Sequence, residues 1–189
     1  MYLKDDIIIL LVGKSASGKS TICKELVKKG WIELKSYTTR PIRTNDPNDI
    51  NTHTFISKEE FDKLENKCAY TFFDGYEYCS TKEQVDNSDI YVIDPDGITY
   101  FKEHYDGIRK PIVVYINCDD TVLKERILLR GDSGDKIKQR IANDNVKFDK
   151  AKIEYDYLLP TYTYINSATI MINTIRDRER RRLFERRLP

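Results

Sequence analysis

The chain has 189 residues, of which 32 are basic and 31 acidic, and its net charge of +1 gives no overall field that would draw it to nucleic acid or to a membrane surface. Hydrophobic residues make up 40% of the sequence, enough for the buried core of one domain, and an aromatic content of 11% excludes a disordered chain. The longest apolar run, Ile7 to Val12, is far shorter than the roughly 20 residues that span a bilayer.

The first residues carry neither a basic segment nor a small-residue cleavage site, so we expect no secretory signal. Four cysteines, Cys23, Cys68, Cys79 and Cys118, form no C-x-x-C pair, and the sequence has only 2 histidines. This pattern favours free thiols over a zinc site. We therefore expect a reducing, cytoplasmic location.

Apolar runs of strand length alternate with helix-like segments along the chain. The run Ile7–Val12 is typical of a strand buried on both faces, a helix is predicted at about Lys19–Lys29, and Trp31–Leu34 indicates a second strand. Ile90–Ile93 and Ile112–Ile116 predict two more buried strands, each followed by acidic residues and a helical stretch. This alternation predicts an α/β fold, a doubly wound parallel sheet with flanking helices.

Residues 13–20, GKSASGKS, match the phosphate-loop pattern G-x-x-x-x-G-K-[ST] in full. The glycines let the backbone aim its N–H groups at phosphate oxygens, Lys19 would bridge the β- and γ-phosphates, and the Ser20 hydroxyl would bind Mg²⁺. The motif follows a predicted strand and precedes a predicted helix, which is the context it needs. The predicted ATP-binding residues are Gly13, Ser15, Ser17, Gly18, Lys19, Ser20 and Thr21.

Residues 36–85 interrupt the alternation and predict an insert between two strands of the main sheet. A capping box at Ser57–Glu60 opens a short helix, and aromatic residues from Tyr70 to Tyr78, around Asp74–Gly75, predict a hairpin. A second irregular stretch, Gly131–Lys138, is predicted to separate two helices.

The insert begins with SYTTRPIR at residues 36–43. Arg40 and Arg43, next to hydroxyl side chains, suit bidentate capture of a phosphate group, although a solvated loop can have the same composition.

Six segments, in order over roughly residues 7–160, resemble those of guanylate kinases. They are SYTTRPIR at 36–43, TFISKEEF at 54–61, GYEYCST at 75–81, IDPDG at 93–97, LKERILLRG at 123–131 with an arginine at 140, and YDY at 155–157. The sequence is therefore similar to P-loop nucleoside monophosphate kinases over most of its length.

The resemblance implies roles for particular residues toward the acceptor nucleotide. Arg40, Arg43 and Tyr78 would hold its phosphate, and Asp96 would lie near its base. The full set implied for the acceptor is Ser36, Arg40, Arg43, Tyr78, Ser80 and Asp96.

The implied catalytic machinery combines the phosphate loop with a lid at about residues 126–140. Arg126, Arg130 and Arg140 would neutralise charge on the transferred group and act with Lys19, whereas a solvated helix face is the alternative. Asp94, which ends a predicted strand, fits a carboxylate that positions Mg²⁺ through water. A helix N-cap before Pro95 is the alternative for Asp94.

Three positions depart from the family pattern. His53 stands where a tyrosine is usual, and Thr161 stands where an asparagine that contacts adenine is expected. The guanine-reading glutamate of the family has no counterpart near Ala69–Thr71, although Asp74 could replace it. We therefore expect GMP to be preferred with weaker discrimination against other monophosphates.

The resemblance implies an enzyme of purine nucleotide metabolism that uses Mg²⁺ and ATP to phosphorylate a nucleoside monophosphate, GMP giving GDP. A kinase of the same fold for another small phosphorylated acceptor, such as a sugar bisphosphate, is one alternative. A non-catalytic guanylate-kinase-like binding module is another, although such modules have lost the phosphate loop that Lys19 and Ser20 complete here.

Nucleic acid is a third candidate partner, because the segment Arg176–Arg187 contains seven arginines. Glu179 and Glu185 interrupt it, which favours a solvated, salt-bridged terminal helix instead.

We expect small-molecule nucleotides as partners and no membrane. We also expect one domain, 1–189, with a core at 1–35 and 86–189 and an acceptor-binding insert at 36–85.

Overall fold

The computed structural model describes residues 7–44, 49–129, 134–148, 153–160 and 165–186, and only the backbone of residues 134–140. The strands of this part of the chain are β1 (Ile7–Val12), β2 (Glu33–Leu34), β3 (Tyr37–Thr38), β4 (Thr54–Phe55), β5 (Lys67–Phe73), β6 (Tyr76–Thr81), β7 (Ile90–Val92), β8 (Lys110–Asn117) and β9 (Tyr157–Pro160). The helices are α1 (Lys19–Lys28), α2 (Lys58–Asp62), α3 (Lys82–Asp86), α4 (Pro95–His104), α5 (Asp120–Leu129), α6 (Gly134–Lys147) and α7 (Ile165–Glu185), with a short 3₁₀ turn at Asp49–Asn51.

The main sheet has the strand order β2-β7-β1-β8-β9, and every neighbouring pair in it is parallel. Because parallel neighbours need crossover connections, helices lie between successive strands and cover both faces. The predicted doubly wound α/β fold is confirmed.

Strand β1 lies at the centre and is completely buried. Its side chains alternate between two apolar clusters, as a strand covered on both faces requires. Ile8, Leu10 and Val12 face a cluster that includes Ile98 and Phe101 of α4. The opposite face packs against side chains of α1 and α7, among them Ile22, Leu26, Ile172 and Ile175.

A second, four-stranded sheet with the order β4-β3-β6-β5 is formed by residues between 37 and 81. Strands β5 and β6 are the predicted hairpin, and Asp74 and Gly75 form its turn with positive φ angles of 52° and 81°. The capping box is also present, because Ser57 accepts a hydrogen bond from the Glu60 N–H and the Glu60 carboxylate accepts one from the Ser57 N–H. These local patterns were therefore predicted correctly.

Several boundaries differ from the sequence prediction: α1 ends at Lys28, β7 ends at Val92, and β8 covers Lys110–Asn117. The strand predicted at Trp31–Leu34 contains only Glu33 and Leu34, because the Trp31 N–H donates to the Leu26 carbonyl at the end of α1 and the Ile32 N–H donates to the Asp89 side chain. Residues 134–138 of the irregular stretch predicted at Gly131–Lys138 are helical, since α6 begins at Gly134, and residues 131–133 lie outside the described residues. The helix-forming residues Lys136 to Lys138 outweigh the glycines and aspartates before them.

Residues 176–185 of the basic segment form the C-terminal part of α7, and some of their side chains pack against the rest of the domain. The Glu179 carboxylate, 3% exposed, pairs with Lys110 and Arg182, and the Arg176 guanidinium lies 3.8 Å from the centre of the Trp31 ring. Among the helices that the structure describes, none is long and apolar enough to cross a membrane.

Candidate active site

A cleft of about 500 Å³ opens at the carboxyl ends of β1 and β7, between the main sheet and the second sheet. Ligands of open parallel sheets bind at this edge, where neighbouring strands connect to helices on opposite faces. Its lining includes a polar and charged group of residues, Ser15, Lys19, Ser20, Ser36, Arg40, Arg43, Asp49, Thr52, His53 and Tyr78. The rest of the lining is more apolar and consists of Ala69, Tyr70, Thr71, Phe73, Tyr91, Val92, Ile93, Asp94, Gly97 and Phe148.

The phosphate loop joins β1 to α1 and has the backbone that its glycines predict. Gly18, directly before the helix, has a φ of 98°. A side chain at Gly13 would place its first carbon 2.8 Å from the Ile116 carbonyl oxygen, so only glycine fits there. The Lys19 ammonium donates hydrogen bonds to the Gly13 and Lys14 carbonyls at 2.6 and 2.8 Å. The loop thus presents a cation and a helix N-terminus to the cleft.

The predicted acceptor arginines lie across the cleft on the insert. Arg40 forms two parallel hydrogen bonds to Asp49, from Nη1 to Oδ2 at 2.9 Å and from Nη2 to Oδ1 at 2.8 Å. The Arg43 N–H also donates to Asp49 Oδ2, at 2.7 Å. The hydrogen bonds from Arg40 hold the pKa of Asp49 well below its usual range. Asp49 therefore fixes the guanidinium of Arg40 and the backbone at Arg43.

Sequence reasoning missed Asp49. It lies in the loop-like stretch TNDPNDINT with three other acidic or amide side chains before it, and nothing in that stretch distinguishes it from them. The signal that could have identified it is its short distance in sequence to Arg40, which needs a counter-charge because it is buried.

His53 lies at the same end of the cleft, with its ring centre 5.5 Å from that of Tyr78 and 6.0 Å from that of Phe55. Burial and then the neighbouring Arg40 cation lower the pKa of His53 to about 4. The imidazole is therefore neutral at pH 7, and its Nδ1 lies 2.8 Å from the Thr52 hydroxyl oxygen.

Asp94 follows β7 and has several partners at once. Its Oδ1 accepts hydrogen bonds from the Gly97 N–H and the Thr71 hydroxyl, both at 2.7 Å. Its Oδ2 lies 3.3 Å from the Lys147 ammonium. The N-cap that the sequence left as an alternative is thus present, and the same carboxylate lines the cleft.

The remaining acceptor residues divide between the wall of the cleft and its surroundings. Ser36 lines the cleft, whereas Ser80 is fully buried beside Cys68 and does not line it. The Asp96 side chain is 62% exposed and pairs with Lys147 at 3.2 Å, so it lies outside the lining as well. Asp74, considered as a substitute for the missing glutamate, lies in the hairpin turn and not in the wall of the cleft.

Helices α5 and α6 contact the phosphate loop at several points. Arg126 Nη1 donates to the Ala16 carbonyl at 3.2 Å, and the Lys14 ammonium pairs with Asp120 at 2.6 Å. From α6, Asp144 Oδ2 accepts the Ser15 N–H at 2.7 Å. Arg130 lies outside the described residues, as do the side chain of Arg140 and all of Thr161.

The donor set of the cleft can be compared with the needs of Mg²⁺, which takes oxygen ligands. Ser20 supplies a hydroxyl oxygen beside Lys19 in the wall of the cleft, which fits an ion that arrives bound to ATP. Asp94 is already engaged by Thr71, Gly97 and Lys147, so it fits a contact through water better than a direct one. In the described part of the chain, no group of three or more His, Cys, Asp and Glu side chains could hold a metal ion by itself.

A phosphate loop after the central strand of a parallel sheet, facing a pair of anchored arginines, defines a P-loop nucleotide-binding protein. The family model described as "AAA domain" matches residues 9–148. A guanylate kinase of Clostridium perfringens (strain 13 / Type A) is 30% identical over 179 residues, which cover 78% of this chain and 81% of that protein. The chain belongs to the guanylate kinase family.

Two further comparisons concern a shorter stretch of the sequence and the fold. A guanylate kinase of Clostridioides difficile (strain 630) is 42% identical over a shorter stretch of 69 residues, 35% of this chain and 33% of that protein. The crystal structure of guanylate kinase from Anaplasma phagocytophilum covers 95% of this chain and 88% of its own, with a TM-score of 0.62 and 20% identity, and has the same fold.

Proposed function

We propose that the protein transfers the γ-phosphoryl group of Mg²⁺-bound ATP to the phosphate of GMP, giving ADP and GDP. The observation that carries this proposal is the shared cleft: the phosphate loop and the anchored pair Arg40 and Arg43 line one cavity of about 500 Å³. Two phosphate groups bound at these places would be held close together, and this proximity supplies much of the rate of such a transfer. Membership of the guanylate kinase family supports the same reaction.

On the donor side, the loop N–H groups and the N-terminus of α1 would bind the ATP phosphates. The proposed ATP-binding residues are Gly13, Ser15, Ser17, Gly18, Lys19, Ser20 and Thr21. The Lys19 ammonium, now held by two loop carbonyls, would turn to the β- and γ-phosphates. ATP must also displace Asp144, whose carboxylate accepts the Ser15 N–H in this structure.

On the acceptor side, Arg40 and Arg43 would bind the phosphate of GMP through charge-assisted hydrogen bonds. Asp49 keeps the Arg40 guanidinium in one plane, so part of the ordering cost is met before the nucleotide arrives. The proposed acceptor-binding residues remain Ser36, Arg40, Arg43, Tyr78, Ser80 and Asp96. Of these, Ser80 and Asp96 would act from outside the present wall of the cleft.

In the reaction, an oxygen of the GMP phosphate attacks the γ-phosphorus of ATP. The bond from the γ-phosphorus to the bridging oxygen breaks, and ADP keeps that electron pair. The acceptor phosphate is mostly ionised at pH 7, since its second pKa is about 6, so the protein need not remove a proton from it. Catalysis then consists of positioning and of charge stabilisation.

The proposed catalytic residues are Lys19, Arg126, Arg130 and Arg140. Arg126 already lies against the phosphate loop through the Ala16 carbonyl, next to where charge would develop on the transferred group. We propose that residues of about 126–140 act as a lid over the core, and that residues 36–85 form the acceptor-binding insert. A closed lid would exclude water and so limit hydrolysis of ATP.

Mg²⁺ would enter as the ATP complex, with Ser20 as its protein ligand and Asp94 acting through water. The ion would neutralise charge on the β- and γ-phosphates. We also propose a cytoplasmic place in purine nucleotide metabolism, with small-molecule nucleotides as the partners.

The experiment that tests the proposal is a coupled assay of ADP release with ATP, Mg²⁺ and a panel of GMP, AMP, UMP and small sugar phosphates. We expect ADP release with GMP to exceed release with every sugar phosphate. If ADP is released only with a sugar phosphate, the acceptor is that sugar phosphate and not GMP. If no member of the panel gives ADP release, the protein is a binding module instead of a kinase.

A further inference from the structure

The part of the cleft lined by β5 has the composition of a base pocket. Ala69, Thr71 and Phe73 alternate along β5 and so share one face of that strand, and Phe148 lines the same cleft. An apolar wall with a few polar groups is what a purine ring requires.

The carboxylates of the cleft carry no uncompensated charge toward this pocket. Within the described wall, the acidic residues are Asp49 and Asp94. Both oxygens of Asp49 are bonded to Arg40. In Asp94, Oδ1 accepts two hydrogen bonds and Oδ2 faces Lys147. Each of the four oxygens therefore already has a donor.

Lys147 is the partner that sets the charge at this end. Its ammonium lies 3.3 Å from Asp94 and 3.2 Å from Asp96, and 4.8 Å from the centre of the Phe73 ring. It comes from the last turn of α6 and thus connects that helix to the start of α4 and to the hairpin. Its side chain is 24% exposed, so water screens these contacts only partly.

We propose that Lys147 is a specificity-determining residue, which neutralises Asp94 in the wall of the cleft and Asp96 beside it, and so makes the acceptor pocket tolerant of purines that lack the exocyclic amine of guanine. This inference rests on the proposed function. Guanine offers an amine donor in addition to a carbonyl, whereas hypoxanthine keeps the carbonyl and lacks the amine. A free carboxylate would discriminate strongly between the two bases, because an unpaired charged acceptor is costly to bury, and a carboxylate paired with an ammonium would discriminate weakly.

The test compares kcat/KM for GMP with kcat/KM for IMP in the wild-type protein and in Lys147→Met. In the wild type we expect a preference for GMP of no more than about tenfold, the range of an uncharged hydrogen bond. In Lys147→Met we expect that preference to increase about five- to tenfold, because methionine keeps the packing on Phe73 and removes the charge. Lys147→Arg should keep the wild-type ratio.

A matched control is Lys102→Met, which removes an exposed lysine of α4 that pairs with Glu154 away from the cleft. We expect its ratio to equal that of the wild type. General damage to the fold lowers both kcat/KM values together and leaves the ratio unchanged, so the ratio isolates base selection.

Three results would overturn the inference. A wild-type preference for GMP over IMP above about a hundredfold would overturn it. This result needs the wild-type protein alone, so the test does not depend on whether Lys147→Met folds. An unchanged ratio in folded Lys147→Met would also overturn the inference, as would an equal increase in Lys102→Met. Absence of ADP release with both GMP and IMP in the wild type would instead refute the proposed function, and the inference with it.

Discussion

Asp49→Asn is expected to destabilise the protein and to weaken binding of the acceptor nucleotide. The Asp49 side chain is 2% exposed and that of Arg40 is 7% exposed. Asparagine keeps the shape but presents an N–H₂ group to a guanidinium that also donates, so the two parallel hydrogen bonds cannot both form. Arg40 would then remain buried without its counter-charge.

The magnitude follows from the burial of the pair. Removing one partner of a buried ion pair costs about 3–5 kcal/mol, and the cleft next to Arg40 admits water, so we expect about 3 kcal/mol. We expect the KM for GMP to rise about tenfold, since Arg40 and the Arg43 backbone lose their common anchor, while the KM for ATP changes less than about twofold.

The assays are urea unfolding and steady-state kinetics, with Asp62→Asn as the control. Asp62 pairs with Lys58 on the exposed face of α2, in the same insert, and its loss should leave both stability and KM unchanged. Wild-type stability in Asp49→Asn, or equal increases in both KM values, would refute the reasoning that Asp49 positions the two arginines.

The same ion pair predicts a pH dependence of stability. The folded pKa of Asp49 is lowered by Arg40, so its contribution is complete above the ordinary pKa of about 3.9 and is lost as the pH falls below that value. The difference in unfolding free energy between wild type and Asp49→Asn should therefore stay constant from about pH 7 to pH 5 and begin to narrow as the pH falls below about 4.

Three further predictions concern the cleft. Lys19→Ala should unfold at the wild-type urea concentration and lose several orders of magnitude in kcat, because charge on the transferred group loses its nearest cation; an unchanged kcat would contradict the kinase assignment. Arg43→Ala should raise the KM for GMP about ten- to a hundredfold and the KM for ATP much less, and equal effects would contradict separate donor and acceptor sites. The folded pKa of His53, about 4, lies below its ordinary value of 6.5, so the wild-type protein should lose about 2 kcal/mol of stability as the pH falls from 6.5 to 4. His53→Phe should not show this loss. If the unfolding free energies of wild type and His53→Phe change equally with pH over that range, the folded protein does not hold the imidazole neutral.

The sequence predicted those features that depend on short-range chemistry. The run Ile7–Val12 has the same bounds in the structure, since six consecutive apolar, mostly β-branched residues fit a strand buried on both faces. The phosphate loop, the capping box at Ser57 and the turn at Asp74–Gly75 each depend on residues within about eight positions of one another. Such patterns are complete in one segment, so they can be read without knowing the fold.

The sequence could not predict contacts that the fold brings together from distant segments. Asp49 interacts with arginines nearby in the chain, yet its burial depends on the second sheet that covers it. Lys147 reaches Asp94, 53 positions earlier, only because α6 returns across the start of α4. Neither residue belongs to a motif, and the exposed pairing of Asp96 with Lys147 could not be distinguished from a base contact by spacing.

This division between local and long-range contacts separates the chemistry of the reaction from the choice of substrate. The groups that we propose to bind phosphate lie in contiguous motifs, the loop at residues 13–20 and the arginines at 40 and 43, so the sequence carries them intact. The part of the cleft that would hold the base is lined by β5, by Gly97 of α4 and by Phe148 directly after α6, and the charge of Asp94 in its wall is balanced by the ammonium group of Lys147. A single substitution at such a position changes the pocket without altering any phosphate-binding residue. Base selection can therefore diverge in a chain whose catalytic motifs are complete, and for this protein it must be measured with purines that differ by one functional group.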